Sequence, residues 1–477
     1  MKIPNNGPQA PRNYQKEFRM ASEKILAYLD NNRQRHVDQL CEFLRIPSIS
    51  SQSDHDEDTR RAAAFVVDEL KELGLEVETH DLGGHPLIYA QTEIRPDRKT
   101  LLFYGHYDVQ PVDPLELWDT PPFEPRIEND IVYARGACDD KGQVYTHLKA
   151  VEAYIREGVD LPVNVKFIIE GEEESGGQSI YKFTEQNPEK LACDAIIVSD
   201  TALYNETTPG ICYSLKGLAY MEIRVFGPAK DLHSGSYGGT VQNPANALAE
   251  IVAALKDKDG RCLVPGFYDD VLELDQEERD GFAELGYTDA ILCDETGSPA
   301  AFGEKGFTTL ERMWARPTCD VNGLLSGYGG EGAKTIIPAE AMAKVSMRLV
   351  PNQDPRKIAA RFTEYVESIA PQGVRVEVID HHGANPVLVP RKSEMMQAGM
   401  AALEQGFGAK PVFIREGGSI PIVGTFQEYL KSPVLLLGYG LSTDNIHSPN
   451  EKFHLENFWR GARTSAILME EAAKRNT

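Results

Sequence analysis

The sequence predicts an α/β fold on a mostly parallel sheet, interrupted by a smaller open-faced α+β domain. Three observations carry that expectation. Short β-branched apolar runs alternate with helical patterns up to residue 213, which is how βα layers read. Beyond 213 the strands become half-exposed alternators, as in a sheet with one covered face. After residue 386 the first style returns. One domain is therefore expected at 1–213 and 388–477, with a second inserted at 214–387. The chain has 477 residues, 41% of them hydrophobic, ample for two cores.

Residues 1–13 are polar and proline-containing and read as a loose arm. A helical pattern runs from about 14 to 45, with Val37, Leu40, Cys41 and Leu44 on one face, and stops before Pro47. A second helix is expected over 59–73, with Ala62, Phe65, Val66, Val67 and Leu70 inward and Gly74 as its stop. Strands follow at 75–79, 86–91 and 100–105, then a hairpin over 126–135 with Asn129-Asp130 in the turn. A helix over 142–155, a strand over 163–169 and a short buried strand over 195–199 complete this part. In the insert, 218–226 alternates, and Asn243-Pro244 opens a helix through 255. Residues 256–300 are charged and read as irregular. Residues 341–349 alternate again, 355–369 are helical and 373–379 extended. Two strand–helix units with half-exposed strands give a ferredoxin-like topology. A helix over 393–405, a strand over 434–437 and a terminal helix over Leu455–Ala473 close the chain.

Composition narrows the function classes. A net charge of −24 argues against nucleic acid or an anionic membrane as partner and suits a soluble cytoplasmic protein. Seven scattered cysteines with no Cys-x-x-Cys pair read as reduced thiols, not a disulfide framework or a zinc ribbon. The first residues hold no apolar stretch, so no signal peptide is expected, and no apolar run approaches membrane-spanning length. Two motifs can be set aside. Gly330-Glu-Gly332-Ala-Lys334-Thr335 echoes a phosphate loop, but Ala333 breaks the Gly-Lys-Thr order. No Gly-x-Ser-x-Gly elbow is present.

The stretch that organises the rest is Glu170-Gly171-Glu172-Glu173-Glu174-Ser175-Gly176-Gly177, which follows a buried strand. Adjacent carboxylates resist desolvation, so such a cluster persists where cations compensate it. Other donors also end predicted strands: His106 and Asp108 after 100–105, Asp200 after 195–199, and Asp444 and His447 after 434–437. Asp139 and Asp140 sit between the hairpin and the helix at 142. In open α/β sheets ligands bind beyond the carboxyl ends of the strands, so His106, Asp139, Glu173, Glu174, Asp200 and His447 can converge there. Singly, each has a plain structural explanation: a satisfied polar histidine, a helix cap at Asp139-Asp140, a turn cap at Asp200. Together they form an imidazole–carboxylate set suited to zinc or manganese. It is too large for one four-coordinate zinc and fits two metals sharing a carboxylate.

These motifs, with Arg135-Gly136, Asp231-Leu-His233-Ser-Gly235, Arg348-Leu-Val-Pro351 and Arg415-Glu-Gly-Gly-Ser419-Ile-Pro421, resemble the carnosinase and cytosolic non-specific dipeptidase family, of the aminoacylase and carboxypeptidase G clan. The resemblance runs in order over nearly the whole chain. It implies a di-metal exopeptidase-type catalytic domain with an inserted lid and dimerisation domain, two divalent ions per subunit (Zn²⁺ or Mn²⁺), and hydrolysis of dipeptides or short peptides with a free C-terminal carboxylate. By that resemblance Asp139 bridges the metals. His106 and Asp200 hold one, and Glu174 and His447 the other. Asp108 orients His106, and Glu173 is the general base for a metal-bridging water. Arg348 clamps the substrate carboxylate, and Thr335, Gly417, Gly418 and Ser419 form a small-residue wall. His233 stabilises the oxyanion in the partner subunit's site, so a homodimer is implied. The strand at 218–226 and the helix from 243 are the expected edge and face for that pairing. Glu172, often uncharged in relatives, is expected to point away from the metals. The rival reading within the clan is an N-acyl or N-carbamoyl amino acid amidohydrolase using the same site. A non-catalytic binding protein would have lost a ligand or the base, and an unspecific cation binder would not need His106 and His447.

Overall fold

The structure, a computed structural model, describes residues 12–475. The arm expected at 1–13 falls almost entirely outside them, and Arg12 already begins a helix. The single helical pattern over 14–45 is two helices, Arg12–Asn31 and Arg33–Leu44. The break is Asn32, whose side-chain amide donates to the Tyr28 carbonyl at 2.8 Å and whose backbone leaves helical geometry at φ −108°, ψ 13°. A short amide side chain competing for backbone groups is what makes Asn a helix interrupter.

The chain forms two compact units. The first comprises Met1–Tyr213, Val389–Ile414 and Thr425–Thr477; the second comprises Ser214–Leu388 and Arg415–Gly424. The short segment Arg415–Gly424 thus groups with the insert, not with the flanking sequence.

At the centre of the first unit lie four parallel strands, in the order Asn164–Glu170, Thr100–His106, Ala195–Val198, Val434–Leu436. They read as continuous apolar runs because both faces are covered, and each is buried along almost its whole length. Antiparallel neighbours flank them: Leu87–Gln91 and then Glu76–His80 on one side, Gly210–Leu215 on the other. The helix Lys141–Arg156 is buried from Lys141 to Tyr154 and packs against Thr100–His106 and against the terminal helix Leu455–Ala473. The hairpin Arg126–Glu128/Ile131–Tyr133 turns at Asn129 and Asp130, both at positive φ (52° and 58°), the left-handed pair that a two-residue hairpin turn requires.

The second unit carries a four-stranded antiparallel sheet in the order Thr318–Ser326, Glu340–Leu349, Gly217–Phe226, Arg375–Ala384. With the helices Pro244–Ala253 and Pro355–Ser368 placed after its first and third strands in sequence, this is the βαββαβ ferredoxin-like arrangement. Alternate residues of Glu340–Leu349 face the core, where Ala343, Val345 and Met347 meet Met221, Ile223, Ile358 and Phe362. Two expectations are corrected here. Gly217–Phe226 is an interior strand paired on both sides and offers no edge; the edges are Thr318–Ser326 and Arg375–Ala384. The region 256–300 is not irregular throughout, since it holds the helices Gln276–Glu284 and Asp289–Thr296. The first has a complete Asp275/Glu278 capping box but buries only Phe282, so it lacks the apolar stripe that announces a helix. Among the described residues no helix is long and apolar enough to cross a membrane.

Gly438, just past the strand Val434–Leu436, has no room for a side chain. A Cβ there would lie 1.9 Å from the carbonyl carbon of Thr201 and 2.0 Å from its oxygen. Backbone cannot swing aside, so Gly438→Ala is expected to destabilise the first unit by at least about 1–3 kcal/mol. A lowered denaturation midpoint is the readout; an unchanged one contradicts this packing.

Candidate metal centre

Each central parallel strand delivers functional groups at its carboxyl end. Thr100–His106 ends on His106, and Asn164–Glu170 runs into the short 3₁₀ turn Glu173–Ser175. Ala195–Val198 leads to Asp200, and Val434–Leu436 leads to the loop that holds His447. Asp139 arrives from the connection into the helix Lys141–Arg156. Neither it nor Asp140 serves that helix as a side-chain cap, which disposes of the capping explanation.

Two donor groups result, one of His106, Asp139 and Asp200, the other of Asp139, Glu174 and His447; within each, one ligand atom per residue lies within 4.8 Å of the others. Asp139 belongs to both. Its Oδ1 is 3.1 Å from His106 Nε2 and its Oδ2 is 2.9 Å from His447 Nε2. His447 Nε2 also lies 3.3 Å from Glu174 Oε2. His447 sits at φ 61°, a left-handed position uncommon outside glycine and held by its surroundings.

The surrounding contacts fix these groups in orientation. Asp108 faces His106 Nδ1 with its Oδ1 at 3.3 Å, and its backbone oxygen is 3.1 Å from the same nitrogen. With Nδ1 turned to Asp108, Nε2 is the nitrogen that faces Asp139. Asp108 Oδ2 in turn accepts from Ser50 Oγ at 2.6 Å and from Glu174 N at 3.1 Å. Gln110 Nε2 donates to Glu174 Oε2 at 2.7 Å.

The electrostatics are those of closely spaced acids held against two imidazoles. Burial, then Asp139, pushes the Asp200 carboxyl well above its usual value, and the same two causes raise Glu174. Burial raises Glu173 to about 7, helped by Glu174, Asp139 and Asp108 and opposed by His106. Burial also works against a charged Asp139, but its hydrogen bonds to His106 and His447 override it and hold the carboxyl below its usual value. Burial opposes charging of His106, yet Asp108 and Asp139 keep its pKa well above 6.5; hydrogen bonds to Asp139 and Glu174 lift His447 to about 10. The donor set is hard oxygen and imidazole nitrogen, with the bridging carboxylate central to both groups. N···O separations near 3 Å are those of two ligands on one divalent ion with bonds of about 2.0–2.2 Å. The residues fit a pair of such ions.

Several contributors have no signature in the sequence. Glu451, fully buried, accepts from Arg135 Nη1 and from the backbone N–H groups of Gly136 and Cys138, each at 2.9 Å, and of Asp139 at 3.1 Å. These partners lie 312 to 316 residues away in sequence, so only the fold reveals the anchor. Asp140 is fully buried, and burial pushes its carboxyl well up; its Oδ2 accepts from the His106 backbone N–H at 3.3 Å. Glu172 behaves as expected: its Oε2 accepts from Ser179 N at 3.2 Å, at the start of the helix Ser179–Gln186, away from either donor group.

The other expected site residues lie in the second unit. Arg348 donates to Ser419 Oγ at 3.2 Å and, with Gly417, lines one cavity. Gly418 is exposed, and its carbonyl accepts from Lys216 N at 3.1 Å. His233 and Thr335 are exposed neighbours, joined where Ser234 N donates to the Thr335 carbonyl at 3.1 Å; Thr335 does not line the Arg348 cavity.

Residues 102–471 match the model for peptidase family M20/M25/M40. The chain belongs to this peptidase family. It is a metallodipeptidase of that kind, and its relatives carry such names. It is 33% identical over 472 residues to the Cys-Gly metallodipeptidase dug1 of Schizosaccharomyces pombe, covering 96% of this chain and 99% of the relative. The crystal structure of human carnosine dipeptidase 1 superposes with a TM-score of 0.82 at 30% identity, covering 95% of this chain and 99% of that one. The M20 family metallo-carboxypeptidase Sso-CP2 of Sulfolobus solfataricus gives 0.83 at 34%, covering 92% and 99%.

Glu451 makes a testable claim about the peptidase. Glu451→Gln puts an amide NH₂ where N–H donors already converge and leaves Arg135 without its anion. Breaking a buried pair this way costs about 3–5 kcal/mol. We expect a lower denaturation midpoint and weaker metal retention on dialysis; unchanged metal affinity contradicts a link between this anchor and Asp139.

Proposed function

We propose that this metallodipeptidase holds two divalent ions, zinc or manganese, one among His106, Asp139 and Asp200 and one among Asp139, Glu174 and His447, and cleaves dipeptides or short peptides with a free C-terminal carboxylate. The observation that carries the reading is Asp139, whose two oxygens face two different imidazoles. When bound, such ions supply Lewis acidity toward the scissile carbonyl and lower the pKa of water. Glu173 belongs to neither donor group yet feels the charges of His106, Glu174 and Asp139, so its carboxylate takes the proton of the attacking water and returns it to the leaving amine. Asp108 keeps the His106 ring in one tautomer, and Gln110 holds Glu174. Arg348 receives the substrate's terminal carboxylate, for which a planar guanidinium fork is suited.

His233 stabilises the oxyanion, in the partner subunit of a homodimer. Its Nδ1 accepts from Gly235 N at 3.0 Å, so the proton of the neutral ring sits on Nε2, ready to donate. The edge strand Thr318–Ser326, with Leu324 and Leu325 exposed, is the surface that supports pairing. A cytoplasmic setting agrees with seven cysteines that are all free.

Chelation should abolish dipeptide hydrolysis, with Zn²⁺ or Mn²⁺ restoring it. Glu173→Gln should retain metal while kcat falls by roughly 10²–10⁴-fold, whereas Glu174→Gln should lower metal occupancy. Metal analysis beside steady-state kinetics separates the two, and the opposite pattern would reverse the assignment.

Donation across a dimer predicts complementation. His233→Ala alone should cost about 10²–10³ in kcat, the usual effect of losing one oxyanion donor. Mixed His233→Ala and Glu173→Gln subunits should regain activity through heterodimers holding one intact site. No recovery despite demonstrated subunit exchange would exclude the arrangement.

A further inference from the structure

The second unit contains a cavity of about 430 Å³ lined by five cationic side chains and two acids. Three of the cations are committed. Arg316 grips Glu304 through Nε and Nη2 at 2.7 and 2.9 Å, and Lys256 holds Asp320 at 2.7 Å. Arg312 donates to the Glu304 carbonyl at 3.3 Å and lies 3.5 Å from Asp289. Both acids of the cavity are therefore neutralised.

The other two cations have no carboxylate partner among the described residues. Arg348 uses one donor on Ser419 Oγ and leaves the rest of its fork unused. Lys216 is only 3% exposed, and the acceptor for its ammonium is the Arg312 carbonyl at a long 3.4 Å. Sheet register keeps them close: Arg348 pairs with Leu218, two residues beyond Lys216. Burial, and then the charge of Arg348, lowers the Lys216 pKa to about 7. A lysine buried with one weak hydrogen bond beside a guanidinium gives up part of its charge, even with Asp320 opposing that shift, and an entering anion would restore it.

We infer that this cavity is a subsite for a C-terminal residue bearing a second carboxylate, with Arg348 on the α-carboxylate and Lys216 on the side-chain carboxylate of aspartate or glutamate. The inference rests on the reading of Arg348 as the carboxylate clamp. A single carboxylate would leave one of the two cations unbalanced. Tyr268 and Trp314 in the wall supply apolar surface for the intervening methylene groups. Gly417 lines the same cavity and adds no side chain to it.

The test compares Ala-Glu with Ala-Gln, equal in shape and different in charge, on the metal-loaded enzyme. The wild type should favour Ala-Glu by roughly 10–100-fold in kcat/KM, the usual scale for one charge-assisted hydrogen bond in a dry site, with the difference mainly in KM. Lys216→Met should bring the ratio close to one, and Lys216→Arg, which keeps the charge, should preserve much of it and so control for misfolding. Arg348→Ala should impair both substrates. Turnover of Ala-Gln equal to Ala-Glu by the wild type, or a preference that survives Lys216→Met, overturns the subsite while leaving the dipeptidase reading in place. Hydrolysis of neither peptide overturns both.

Discussion

The constraint on which the first unit depends is the burial of the Asp139 carboxylate among other acids. Asp200, Glu173 and Glu174 lie around it, and burial raises the pKa of each. Two like charges 4 Å apart cost about 4 kcal/mol at an effective dielectric near 20. A few such pairs rival the roughly 5–15 kcal/mol that holds a domain folded. Two imidazoles offset part of this, and divalent cations are the natural means of offsetting the rest. The parallel core strands then act as rigid arms whose ends converge on one locus. The anchor below Asp139 completes the arrangement, because Glu451 collects Arg135 and three backbone N–H groups and leaves the loop one shape. His447, four residues before Glu451, reaches the side chain of the residue whose backbone Glu451 holds. One loop thus grips Asp139 from both ends.

Much of this was legible in the sequence because the signals are local. Buried parallel strands read as apolar runs, and a histidine or carboxylate just past such a run is placed at the strand's carboxyl end by chain direction alone. His106, Asp200 and the Glu173–Glu174 pair follow from that rule. The contacts that steady them do not, since Glu451 finds partners more than three hundred residues away and Asp140 is indistinguishable on paper from a helix cap. The helices at Gln276–Glu284 and Asp289–Thr296 escaped for a different reason. Both are stabilised by caps and surface charge, whereas periodicity reports only helices that bury a stripe. Strand order in the insert is also hidden: alternation shows that Gly217–Phe226 has one covered face, but not that it has neighbours on both sides.

The second unit makes the complementary electrostatic choice. The acids that line its cavity are consumed by pairing, Glu304 by Arg316 and Arg261 and Asp320 by Lys256. What remains unbalanced in that cavity is positive, at Arg348 and Lys216. Arginine suits the first position, because a planar fork reads a carboxylate bidentately. Lysine suits a cramped second one, because a compact ammonium can be buried and still reorient toward whichever oxygen arrives.

Three consecutive glutamates show how geometry sorts identical side chains into different fates. Glu172, two residues past the strand Asn164–Glu170, turns its carboxylate to the N–H of Ser179, where a helix start favours an anion. The 3₁₀ turn Glu173–Ser175 then swings the next two apart. Glu174 is captured by His447 and Gln110 and by its own N–H bond to Asp108. Glu173 has no such captor and is the least committed acid at the site's edge. Proton transfer needs such a carboxylate, close to the donor groups and spent on none of them. The left-handed Gly176 that follows, at φ 67°, lets the chain leave this turn at once.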